Sequence, residues 1–136
     1  LISEDLGERG LVDVHEMDES WDRHRRTVIV AAGLVMYLPE AAVQDLFVQC
    51  AAIVGAESRI AFSYIPTAED ARPDAGRHTG LVLWILTASG EPWLWSIRPE
   101  ELGSFLQECG WASSPELMVS MKKRGVELNA VAIKSR

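Results

Sequence analysis

The run Val28, Ile29, Val30, Ala31, Ala32 constrains this chain more than any other stretch. Apolar residues stand at odd and even positions alike, so the segment suits a strand buried on both faces, as in the middle of a parallel sheet. Gly33 supplies backbone freedom where that strand ends, and Pro39 fits the first turn of a following helix because it has no amide hydrogen to leave unsatisfied. Val43, Leu46, Phe47, Cys50, Ala51 and Val54 then recur at helical spacing, and Gly55 stands where a terminator belongs. Residues 59–65, RIAFSYI, make the next strand. Strand, helix and strand with such short joints form a right-handed crossover with parallel neighbours. In open α/β sheets ligands bind at the carboxyl ends of the strands, which places the expected pocket at residues 31–38.

The flanking segments extend this unit into one α/β domain over residues 1–136, with no internal repeat and no linker. Residues 1–10 read as a frayed helix end, residues 11–14 as a short strand, and the charged stretch that follows as a solvated face. Residues 66–80, rich in Pro, Asp, Ala, Gly and Arg, form a loop suited to a lid, and residues 81–86 with Trp84 are assigned to a helix. Trp93 and Trp95 alternate, which puts both rings on one face of an extended segment. Pro99, Glu100 and Glu101 open a helix whose apolar stripe, Leu102, Phe105, Leu106 and Cys109, stops at Gly110. Residues 117–121 and 129–134 are read as two closing strands.

Charge and composition narrow the function. A net charge of −7 and a pI near 4.9 disfavour an electrostatic grip on nucleic acid or an anionic membrane, leaving a small molecule or another protein as the expected partner. No apolar run is long enough to span a membrane, and the first residues lack the pattern of a signal peptide. Cys50 and Cys109 each fall in an apolar helical pattern, as buried free thiols of a cytoplasmic protein do. His15, His24 and His78 are scattered and no CxxC or HExxH occurs, so no metal site is expected. Ser63, His78 and Asp74 could be drawn as a triad, but Ser63 lies inside a strand without the glycine-flanked turn that exposes a nucleophile. No two glycines are separated by a single residue, so the GxG step of a dinucleotide or methyl-donor loop is missing.

Two segments carry a specific resemblance. AAGLVMYLPEAAVQDLF resembles the EGLLMYLP-type segment of the leucine carboxyl methyltransferase family, and GEPWLWSIRPEELGSFLQECGW is similar to that family's GEP segment, PEEL helix and closing Gly-aromatic pair. With the strand at residues 59–65, the likeness covers most of the chain from Leu11 onward. It implies the C-terminal part of a Rossmann-like class I methyltransferase fold, a mostly parallel sheet flanked by helices with its first strands missing. The implied activity is S-adenosylmethionine-dependent O-methylation of a small-molecule or carboxylate acceptor.

The same resemblance assigns site residues. The donor's adenine would lie after the strand at residues 11–14, where the family's Asp is replaced by His15 with Asp18 nearby, and its backbone beside Ala32, Gly33 and Leu34, with Ala32 standing where the family has Glu. The acceptor would approach Tyr64, Glu91, Trp93 and Trp95. No catalytic base is assigned, since aligning the reacting atoms supplies most of the acceleration in methyl transfer. In the family the strand at residues 28–32 pairs with a first strand, which the resemblance would place upstream of Leu1, so here it should present an unpaired apolar edge. The strand at residues 11–14, a second copy in a homodimer, or a separate N-terminal half would cover it. Two other readings are a methyltransferase-like binding or dimerisation module without donor binding, and an unrelated small α/β domain.

Overall fold

The apolar run at Val28–Ala31 forms strand β1 and lies parallel to β2, Arg59–Tyr64, from Val28 opposite Arg59 to Ala31 opposite Phe62. The computed structural model describes residues 10–16, 19–113 and 127–135. Helix α2, Glu40–Ala52, makes the crossover. Pro39 is its N-cap, one residue before the position expected, and the Pro39 carbonyl accepts hydrogen bonds from the amides of Ala42 and Val43 at 2.9 and 3.0 Å. Val43, Phe47 and Cys50 fall on one helical face and are buried against the sheet. Burying a side chain such as Phe47 contributes about 1.5–3 kcal/mol.

Beyond β2 the sheet turns antiparallel. Strand β4, Leu128–Lys134, pairs with β2 from Arg59 opposite Ile133 to Tyr64 opposite Leu128. Strand β3, Trp111–Ser113, pairs antiparallel with β4 and closes the order β1-β2-β4-β3. The sheet is therefore mixed, with one parallel pair among its described strands, rather than mostly parallel. Helix α4, Pro99–Glu108, has proline in its first turn with Glu100 and Glu101, and buries Leu102 and Leu106. Phe47 joins the layers: its ring meets Phe62 edge-on at 4.9 Å and Phe105 of α4 at 5.8 Å, and its carbonyl accepts the indole N–H of the fully buried Trp111 at 2.9 Å. The short strand β3 directly after α4 was not anticipated from sequence, because three residues carry too little alternation to register.

Two expectations are overturned. Residues 11–14 are not a strand; Leu11–Glu16 is helix α1, packed on α2 with Val14 buried. A four-residue apolar cluster is compatible with either period, and here the Gly10 carbonyl accepts the Val14 amide at 3.1 Å while Gln49 of α2 accepts the Leu11 amide. Nor is β1 a central strand. It is the sheet's edge, with Val28 and Val30 exposed at 66% and 70% on the face away from α2. Among the described residues no strand pairs with the outer side of β1, as foreseen from sequence, and α1 does not pair with it. The strand expected at residues 117–121 falls outside the described residues. The helix assigned to residues 81–86 is α3, Thr79–Ala88, preceded by a 3-10 turn at Gly76–His78. None of its residues is buried, and Leu81, Trp84 and Ile85 are exposed.

The register of β1 is set before the strand begins. Thr27 donates its amide to Ser58 Oγ at 2.9 Å, Arg59 donates to the Thr27 carbonyl at 2.9 Å, and Gly55 donates to the Arg25 carbonyl at 2.9 Å. Trp21 adds an indole hydrogen bond to the Ile53 carbonyl at 2.9 Å. The two backbones approach so closely that a Cβ on Gly55 would stand 2.2 Å from the His24 carbonyl oxygen. Gly55 is therefore required for this contact, a different reason from the helix-terminating role expected. Gly55→Ala should lower stability by about 1–3 kcal/mol through overpacking against backbone that cannot move aside. A urea denaturation midpoint equal to that of the parent chain would refute the close approach.

Candidate functional site

Where β1 ends, the chain reverses through Ala32 and Gly33, the latter at φ +61°, into a 3-10 turn at Val35–Tyr37. That φ lies in the left-handed region, which glycine adopts without a Cβ clash, and no atom lies within 4 Å of where a Cβ would be. The turn is held from below: the Gly33 amide donates to Ser63 Oγ at 2.7 Å, and Ser63 is buried in β2. It is held from the side by the segment before α4. The Met36 carbonyl accepts the amides of Leu94 and Trp95 at 2.7 and 3.2 Å, Ile97 donates to the Ile65 carbonyl at 3.2 Å, and Thr67 donates to the Ile97 carbonyl at 3.1 Å. The Thr67 and Ser96 hydroxyls are hydrogen-bonded at 2.7 Å.

These bonds draw two surfaces together at the carboxyl end of β1. On one side, Ala32, Gly33 and Leu34 are exposed. Leu34 also ends an apolar groove of about 410 Å³ that runs along β1 and is bounded by Trp21, Leu46 and Phe47. On the other side, Tyr37, Gly90, Glu91, Pro92 and Leu94 line a cleft of about 650 Å³. The Tyr37 amide donates to the Leu34 carbonyl at 3.1 Å, so a single turn of chain separates the two. Glu91 is tied to the last turn of α3 by its amide, which donates to the Leu86 carbonyl at 3.0 Å, while its side chain is exposed.

The residues singled out in the sequence are thus dispersed. Glu91 lines the cleft and Ala32, Gly33 and Leu34 stand beside it. Tyr64 and Trp95 belong to the buried core, where Tyr64 packs on Phe62 at 6.1 Å and Trp95 on Phe105 at 5.3 Å. Burial raises the Tyr64 hydroxyl pKa above its ordinary value. Trp93 is half-buried, and its indole nitrogen is a buried atom without a hydrogen-bond partner among the described residues. His15 belongs to α1, and Asp18 lies outside the described residues. Tyr37, Pro92 and Leu94 were not singled out, although Tyr37 stands inside the MYLP segment and Pro92 and Leu94 inside the GEP segment. Ser63, His78 and Asp74 are joined by no hydrogen bond or ion pair among the described residues. Ser63 serves the Gly33 turn and Asp74 caps the Gly76 amide at 2.8 Å. Both cysteines are free and buried, and burial pushes the Cys50 thiol up to about 11, which keeps it protonated and unreactive. No helix of the described residues is long and apolar enough to cross a membrane.

No family model and no curated protein matches this sequence. Solved structures do match its fold. A Nostoc punctiforme protein ascribed to the O-methyltransferases aligns at TM-score 0.58 and 13% identity over 82% of this chain and 33% of its own. The 1,6-didemethyltoxoflavin-N1-methyltransferase of Burkholderia thailandensis, solved with S-adenosylhomocysteine, aligns at 0.57 and 15% over 87% of this chain and 48% of its own. The magnesium protoporphyrin IX methyltransferase of Synechocystis, also with S-adenosylhomocysteine, aligns at 0.53 and 12% over 98% of this chain and 50% of its own. The chain thus spans half or less of the length of these three proteins. The likeness establishes a methyltransferase-like Rossmann fold, matched in its C-terminal region. It does not single out the leucine carboxyl methyltransferase family.

The exposed turn depends on one hydroxyl. Ser63→Ala leaves the Gly33 amide without its partner, at a cost of about 1–3 kcal/mol if that amide stays dry. Amide hydrogen exchange should show faster exchange at Gly33 and Leu34 in the variant, with the β2–β4 ladder unaffected. Equal exchange at Gly33 in both proteins would show that the hydroxyl does not hold the turn.

Proposed function

We propose that this chain is the C-terminal part of an S-adenosylmethionine-dependent O-methyltransferase acting on a small molecule. The observation that carries the reading is the open turn at Gly33 beside a cleft, at the carboxyl end of β1, within a methyltransferase-like fold. The sequence likeness of residues 31–47 and 90–111 to the leucine carboxyl methyltransferases supports it independently. Structural neighbours solved with the demethylated donor support the choice of donor.

The residues present fit one wall of a donor site. The space over Gly33 is open, Ala32 and Leu34 are small or apolar, and the neighbouring cleft carries no cation that would repel a sulfonium. Bound there, the donor would supply an electrophilic methyl group. The chain's own part is to hold a fixed surface through the Ser63 and Met36 hydrogen bonds and to exclude water with Tyr37 and Leu94. Orientation of this kind accounts for much of the acceleration in bimolecular transfer, so no general base is assigned. The second reading, a module that keeps the fold without the donor, is favoured by the Ala at position 32, where the family resembled has Glu. Isothermal titration with S-adenosylmethionine separates the two. Saturable heat is expected, and none at high micromolar protein would favour the non-catalytic module.

The exposed edge of β1 belongs to the same proposal. Val28 and Val30 carry no charge, bulge or proline to deter pairing, and no described strand pairs with the outer side of β1. A strand from a second copy or from a separate N-terminal half covers it. Light scattering after size exclusion should give a mass above the 15.0 kDa of one chain, and Val30→Lys should return it to that mass. A parent chain that stays monomeric at high concentration would remove the homodimer.

A further inference from the structure

The cleft beside the turn has a chemical character that the fold does not dictate. Of its lining residues, Tyr37, Pro92 and Leu94 present apolar surface, Gly90 presents backbone, and Glu91 carries the one charge. Tyr37 and Leu94 are exposed at 39% and 55%, so both offer apolar surface to a ligand entering the cleft. Glu91 has no ion-pair or hydrogen-bond partner for its carboxylate among the described residues. Its backbone amide is anchored to the last turn of α3 through the Leu86 carbonyl, which fixes the point from which the side chain leaves. A volume of about 650 Å³ is in the range that holds a small organic ligand.

We infer that this cleft takes an apolar ligand without negative charge, and that Glu91 disfavours carboxylates there. The ligand class stands on the cleft itself; that the ligand is the methyl acceptor rests on the proposed methyltransferase reading. An anionic acceptor would lie against a carboxylate that no cation among the described lining residues faces, whereas a neutral aromatic loses little and a cationic one gains. The apolar surfaces of Tyr37, Pro92 and Leu94 supply the affinity, and Glu91 supplies the discrimination. The carboxylate acceptors allowed by sequence are therefore set aside in favour of hydroxyl-bearing aromatics.

Three probes of one shape test this: 2-naphthylmethanol, 2-naphthylmethylammonium and 2-naphthoate, titrated calorimetrically into the full chain at pH 7. The alcohol and the ammonium should bind, and the naphthoate should bind at least about threefold more weakly than the alcohol, the scale of a solvent-exposed charge interaction. Glu91→Gln should remove that gap while leaving the alcohol's affinity unchanged. Leu94→Asn should weaken all three, which places the probes in this cleft rather than in the groove along β1. Both substitutions are at exposed positions, and thermal melts confirm that the variants remain folded. Equal or tighter naphthoate binding, a gap that survives Glu91→Gln, probes indifferent to Leu94→Asn, or no binding of the alcohol at millimolar concentration would each overturn the inference. Failure of the donor titration with the probe pattern intact would instead remove the acceptor role and leave the ligand class standing.

Discussion

Parallel pairing of β1 with β2 under α2 is the constraint from which the other features follow. A parallel pair cannot be closed by a hairpin, so its register must be set by contacts outside the ladder. Here the backbone at His24 and Arg25 lies against Gly55, and Thr27 is bonded to Ser58 and Arg59. Once that junction is made, Ala31 falls opposite Phe62, and Gly33 arrives above Ser63. The site at the carboxyl end therefore inherits its geometry from a contact at the opposite end of the strands.

The core shows how one side chain can couple layers. Phe47 touches Phe62 of β2 and Phe105 of α4, and its carbonyl satisfies the indole of Trp111. The sheet face under α2 and α4 is closed, with Ile60, Phe62, Ala130 and Ala132 buried, whereas the opposite face at β1 stays open at Val28 and Val30. An apolar strand in that position is energetically unfinished, since apolar area left in water forgoes about 25 cal/mol per Å².

Much of the fold was legible in the sequence where a long segment kept one period. Residues 28–32, 43–54 and 59–65 announced β1, α2 and β2, and the acidic first turn after Pro99 announced α4. Short segments were ambiguous. Leu11, Val12 and Val14 suit a strand or a helix, and only the surface of α2 made them a helix. The site divides in the same way. Of the residues that the family resemblance named, Glu91 lies in a cleft and Gly33 in an exposed turn, while Tyr64 and Trp95 are buried in the core.

What the sequence determined by itself was the crossover unit and the place of a turn after β1, because apolar periodicity and glycine act over a few neighbouring residues. What only the tertiary structure decided was which side chains meet. Ser63 reaches Gly33 across 30 residues, and Met36 reaches Leu94 and Trp95 through pairings that no local pattern encodes. Gly55 makes the same point: its sequence position suggested a helix terminator, and its function is to let a second backbone pass within contact. Local preference sets each element's type, and long-range packing sets which elements meet.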